Sequence, residues 1–151
     1  MADFLNINDT LNQLDLSEAM SGVEFGCGSA AFAIALAKKF HKGTVYAIDI
    51  QEEKLSAIKG RLSVEKITNI KTIVADLEME RGSTLQDKSM DVVLIPNLLF
   101  QVPDKYAIVK EGTRVLKTGG QLLIIDWIKK TPFNQRETIV SQGEVKKMAE
   151  S

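Results

Sequence analysis

The stretch at residues 23–37, VEFGCGSAAFAIALA, decides the reading of this chain. Its first part closes a short apolar run, residues 21–25, that reads as a β-strand, and its last part opens a helix over residues 30–40 with an alanine-rich apolar face. Between the two, Gly26 and Gly28 let the backbone bend sharply and approach a ligand with no Cβ in the way. The helix after them aims its unpaired N–H groups at the same spot. Strand, glycine turn and helix in this order make a binding turn if the rest of the chain builds a sheet around it.

Outward from that turn, short apolar runs alternate with helical patterns. Residues 44–48 (TVYAI) read as a second strand, and 52–62 as a helix with Leu55, Ile58 and Leu62 on one face. Residues 70–74 form a third strand, followed by a polar loop over 77–90 and a fourth strand at 91–95 (DVVLI). Asp104 is an N-cap for a helix running to Leu116, with Ile108, Val109, Val115 and Leu116 on its apolar side. Gly119 and Gly120 are expected to end that helix before a fifth strand at 121–126 (QLLIID). Ser141 and Glu144 have the form of a capping box for a terminal helix to about residue 150. The strands are almost uniformly apolar, the pattern of strands buried on both faces of a parallel sheet. Right-handed crossovers then give a doubly wound α/β fold in a single domain, 1–151, with an N-terminal cap segment (1–20) and a C-terminal helical tail (128–151).

Composition narrows the function. Lys and Arg number 19 against 20 Asp and Glu, so the total charge carries no signal for nucleic acid or an anionic membrane. Cys27 is the only cysteine and His41 the only histidine, which rules out a disulfide framework and a cysteine zinc site and leaves no ordinary Ser-His-Asp triad. No metal site is expected. No run approaches the roughly 20 apolar residues of a membrane span. The N-terminal stretch carries acids rather than a signal-peptide pattern, and the chain reads as cytoplasmic.

Doubly wound sheets hold ligands at the carboxyl ends of their strands. Asp49 ends the second strand, where a carboxylate can accept both hydroxyls of a ribose, and Asp76 comes after the third, placed to meet an adenine amine. Taken literally, Gly26-x-Gly28-x-x-Ala31 also fits a dinucleotide fingerprint. Glu24, two residues before the first glycine, would oppose two phosphates there and favour a ligand with a sulfonium and an ammonium.

With these residues in place, the chain resembles the class I S-adenosylmethionine (SAM)-dependent methyltransferases, most closely the ubiquinone/menaquinone-biosynthesis type. VEFGCGSAAFAIALA resembles the family's first motif and VYAIDI its ribose-binding strand. VADLE is similar to the adenine-binding segment, DVVLIPNLLFQVPDK to the fourth-strand motif, and RVLKTGGQLLIIDW to the run into strand five. The resemblance covers about residues 23–127 and implies a Rossmann-like sheet of order 3-2-1-4-5. It places Glu24, Phe25, Gly26, Cys27 and Gly28 around the methionine moiety, Asp49 at the ribose and Ile50 beside the adenine. It further places Asp76 and the Leu77 backbone at the adenine amine, with Asn97 and Leu98 near the sulfonium and acceptor. The cofactor would be SAM, the product S-adenosylhomocysteine, and the acceptor a small molecule.

Ala30 stands where the family has a third glycine, and Thr118 where it has a proline. The family also adds an antiparallel hairpin beyond strand five, whereas this sequence stops at Ser151. Strand five is therefore expected to be a sheet edge: either the chain is a truncated form, or residues 129–151 or a second copy in a homodimer cover that edge.

Blander readings stand beside these. Cys27 reads as a space-filling residue of the turn, Asn97 as a turn residue or a ligand contact, and Trp127, Phe100 and Phe133 as packing or pocket residues. If the acceptor must lose a proton, Glu24, Asn97 and Asp126 are the nearest groups. A SAM-binding module without catalysis and a dinucleotide oxidoreductase remain as alternatives. Arsenic methylation, which relies on several thiolates, is disfavoured by a single cysteine.

Overall fold

A computed structural model describes residues 5–126 and 141–151. Five parallel strands form one sheet in the order β3-β2-β1-β4-β5, as the resemblance implied. They are β1 (Ser21–Phe25), β2 (Thr44–Asp49), β3 (Ile70–Val74), β4 (Met90–Pro96) and β5 (Leu116–Ile125). The helices are α1 (Ile7–Leu11), α2 (Ala31–Lys39), α3 (Glu52–Val64), α4 (Lys105–Val115) and α5 (Gln142–Glu150), with a 3-10 turn at Leu99–Gln101.

Alternation along the strands divides the core in two. Val45, Ala47, Val92 and Leu94 face α2 and α3, packing on Ala33, Leu36, Phe40, Leu55 and Ile58. Val23, Phe25, Val93 and Ile95 face the other way, toward Ile108, Val109 and Val115 of α4, with Val145 and Met148 of α5 at the margin. Both sheet faces are covered, which is what the continuous apolar runs required. The N-terminal segment lies against the α2 face, with Leu11 in its core. Gln121 ties that segment to β5, accepting from the Asp15 N–H at 2.9 Å and donating to its carbonyl at 2.8 Å.

The ends of α4 and α5 agree with the sequence. Asp104 caps α4 by accepting from the Ala107 N–H at 3.0 Å, and Ser141 and Glu144 form the capping box of α5. The start of β5 differs from expectation. α4 ends at Val115 and Leu116 already pairs with Met90, whereas the next pair is Val92 with Gln121. Residues 117–120 therefore bulge out of the ladder, with Gly119 at φ +80°, and the two glycines shape this bulge rather than stop the helix.

Register sets the site. Phe25 pairs with Ile48, Asp49 with Val74 and Pro96 with Ile125. Gly26, Asp49, Asp76, Asn97 and Asp126 consequently lie along one edge of the sheet.

Candidate active site

An open cleft of about 320 Å³ runs along that edge. Of the residues singled out in the sequence, Gly26, Gly28, Asp49, Ile50, Asp76, Leu77 and Leu98 line it. Gln51, Lys54, Ala75, Glu78, Gln101, Val102 and Ile108 complete the lining and were not foreseen. Gln51 and Lys54 begin α3 one helical turn apart, so the step from strand two into that helix was the available signal. Gln101, Val102 and Ile108 come from the turn and helix beyond β4; the first two fall within the fourth-strand segment quoted above without having been singled out in it, and no motif marks Ile108.

The glycine turn is built by sterics. Gly26 has φ +65°, and a Cβ there would stand 2.8 Å from Leu98 Cδ1, so this turn and the residue after β4 are in direct contact. Gly28 has φ +50°, and a Cβ there would meet nothing within 4 Å. The space in front of Gly28 is open to a ligand. Ala30 adopts φ 60°, the left-handed region that favours glycine, which explains why the resembled family places glycine there.

Asp49 is 7% exposed and fixed on both oxygens, accepting from the Gly28 N–H at 3.2 Å and the Gln51 N–H at 3.0 Å. Each oxygen keeps lone pairs for incoming hydroxyls. Asp76 is exposed and turns the chain locally by accepting from the Glu78 N–H at 2.9 Å. Glu78 in turn accepts from the Asp104 N–H at 2.9 Å, joining the loop after β3 to the start of α4.

Four of the expected contacts lie elsewhere. Glu24 is 2% exposed and lies behind the turn, accepting from the Ala33 N–H at 2.9 Å. It thus meets a first-turn donor of α2, for which Ala30 offers no side-chain cap. Burial pushes its carboxyl up to about 8, with the nearby Asp49 adding to the rise. The structure thus places Glu24 behind the turn rather than on the rim assigned to it from the sequence, and the carboxylates that line the cleft are Asp49, Asp76 and Glu78. Phe25 is fully buried in the core below β1. Cys27 is buried against α2, and burial pushes its thiol up to about 12, which fits filler rather than nucleophile. Asn97 is exposed outside the cleft at φ +54°, its N–H bonded to the Ile125 carbonyl at 2.7 Å. Asp126 accepts from the Leu99 N–H at 2.9 Å. Trp127 and Phe133 lie outside the described residues.

Residues 16–151 match the family model described as a methyltransferase domain. The chain belongs to the methyltransferase-domain family. Within it, a demethylmenaquinone methyltransferase of Geobacillus kaustophilus is 29% identical over 134 residues, 85% of this chain and 54% of that protein. The enzyme of the same name from Bacillus mycoides is 28% identical over 137 residues, 87% of this chain and 55% of its own. The chain therefore spans about half the length of the curated relatives it matches. In fold, it superposes on a SAM-dependent methyltransferase from Aquifex aeolicus with a TM-score of 0.82 at 24% identity, covering 96% of this chain and 77% of that one. The [4+2]-cyclase SpnF shares the fold too, with a TM-score of 0.81 at 14% identity, over 95% of this chain and 55% of that one. These likenesses are in keeping with the class I, menaquinone-type branch that the motifs resemble.

Proposed function

We propose that this methyltransferase-domain chain binds SAM in the cleft and transfers its methyl group to a small quinone-type acceptor, releasing S-adenosylhomocysteine. The observation that carries the reading is the alignment of an open Gly28, a doubly fixed Asp49 and Asp76 along one cleft edge. Asp49 would hold the ribose hydroxyls, Ile50 and Leu77 the adenine ring, and Asp76 its amine. Gly26 and Leu98 would flank the methionine arm. The lining carries three carboxylates, Asp49, Asp76 and Glu78, against one ammonium, Lys54. That balance favours a cationic adenosine compound over a dinucleotide with two phosphates.

SAM, when bound, supplies a methyl group already activated on a sulfonium. The chain's own contribution is then to orient the two reactants and exclude water, which can supply roughly 7–11 kcal/mol without a nucleophile. Glu24, Asn97 and Asp126 are not assigned as bases, since the first is buried, the second is outside the cleft and the third is engaged with backbone. The quinone-type acceptor rests on the relatives named as demethylmenaquinone methyltransferases. A cytoplasmic site of action belongs to the same reading, in keeping with the buried, unpaired Cys27. So does pairing of two copies along β5, the edge strand of the sheet among the described residues.

A second reading, a SAM- or S-adenosylhomocysteine-binding module without catalysis, is favoured by the cleft itself. At about 320 Å³ it stands at the small end of ligand sites and leaves little room for an acceptor. Incubation with SAM and a panel of small quinols separates the two. Release of S-adenosylhomocysteine with any of them supports transfer, and binding of SAM with no release across the panel favours the module.

A further inference from the structure

We propose that Asp126 is a positioning residue of the cleft: from the tip of β5 its carboxylate clamps the 3-10 turn after β4, and so sets where Leu98 stands against Gly26. The inference rests on the reading that this cleft takes SAM with its methionine arm on the Gly26 side.

The chain leaves β4 through Asn97, whose positive φ of 54° breaks the extended course of the strand. The 3-10 turn beyond it has only three residues, and Leu98 gives it no side-chain cap. So short a turn has little internal hydrogen bonding to hold it. Its N–H groups are met instead from β5, where Asp126 Oδ2 accepts from Leu99 at 2.9 Å and from Phe100 at 3.4 Å. One residue earlier, the Ile125 carbonyl accepts from Asn97 at 2.7 Å. Ile125, the last residue of β5, and Asp126 just past it thus hold both ends of the step from Asn97 to Phe100. The Gln101 side chain closes the turn by donating to the Asn97 carbonyl at 2.6 Å.

Leu98, Gln101 and Val102 carry the cleft wall on this side, and Asp126 is not in the lining. Its effect on a ligand therefore passes through the turn. Lys105 braces the far end, its ammonium donating to the Val102 carbonyl at 2.8 Å. Burial works against that ammonium's charge, and the carboxylates of Asp126 and Glu78 restore part of it.

The test compares Asp126→Ala with Asp126→Asn in the full chain, using SAM and adenosine as calorimetric probes and exchange of the Leu99 and Phe100 amides as a ligand-free readout. Asp126→Ala should lower SAM affinity about tenfold, the scale of one lost charge-assisted hydrogen bond, and leave adenosine affinity within about twofold. It should also speed exchange at both amides. Asp126→Asn, which keeps an acceptor oxygen, should restore both readouts. If Asp126→Ala does not fold, Asp126→Glu, which keeps the charge and misplaces the oxygens, takes its place with the same expectation. Unchanged SAM affinity, an equal loss of adenosine, or an asparagine variant as damaged as alanine overturns the proposal. A wild-type chain that takes neither probe sinks the proposed function instead; the clamp then stands or falls on whether the two amides exchange faster in Asp126→Ala.

Discussion

At Asp49 one side chain does two things, and both are legible in its hydrogen bonds. It fixes the Gly28 and Gln51 N–H groups and presents its remaining lone pairs to the cleft. Asp49→Ala should cost SAM binding about 2 kcal/mol or more, the scale of a charge-assisted hydrogen bond, seen as a loss of at least about thirtyfold in calorimetric affinity. Glu24 carries a different prediction, because its proton is held more tightly in the folded chain than in the unfolded one. With the folded value raised from 4.5 to about 8, its stabilising contribution is complete below pH 4.5 and lost as pH rises toward 8. Glu24→Gln keeps an acceptor for the Ala33 N–H and does not titrate. Urea unfolding between pH 5 and 8 should show the wild type losing stability at up to about 1.4 kcal/mol per pH unit relative to the variant. Parallel curves would contradict this account of Glu24. The direction of that side chain was in principle legible: Val23 and Phe25 face α4, so the alternate residue must face α2. Its place beside the glycine turn suggests a rim charge, and only the packing of α2 shows that the carboxyl is shut in.

Among the elements, the loop between β3 and β4 reads in the sequence only as polar beyond Leu77, yet that part ties the loop to α4. Ser83, fully buried, donates its N–H and hydroxyl to Glu111 of α4, and Arg114 completes the cluster with Asp87. Removing Glu111 leaves the buried Ser83 N–H and hydroxyl without their acceptor and takes one of the two carboxylates from Arg114, and Glu111→Ala should cost roughly 3 kcal/mol in chemical denaturation. Gly82 lies in the same loop, where a Cβ would fall 2.1 Å from the Asp76 carbonyl. Gly82→Ala should therefore displace Asp76 and weaken adenosine binding several-fold; unaltered affinity would show that Asp76 does not contact that ligand. α3 and β4 are placed from the sequence to within two residues, because Leu55, Ile58 and Leu62 mark one face of the helix and β4 is a continuous apolar run. The bulge at 117–120 is not, since Gly119-Gly120 after a helix is the ordinary sign of a C-terminus and only pairing with β4 shows that the ladder had already begun. Ile108 in the cleft wall escapes notice for a related reason: it reaches the site by the packing of α4, which no local motif encodes.

For the molecule as a whole, the doubly wound sheet was legible in the apolar strands and its order through the family that five motifs in series resemble, and register then brought their polar tips to one edge. Among the described residues the same sheet leaves β5 beside β4 alone, with Leu122, Leu123, Ile124 and Ile125 half-buried. If two copies pair there, sedimentation should report a dimer, and a charge placed at Leu123 should return it to a monomer. A monomer at every concentration would remove that part of the reading. The fold does not choose the reaction, since the SpnF cyclase has it too; the choice rests on what the cleft accepts. Titration of the full chain with SAM and with NAD in a calorimeter tests this most directly. SAM should bind at one site and NAD should give no heat, whereas binding of NAD without SAM would contradict the assignment of the carboxylate-lined cleft to a cationic adenosine compound.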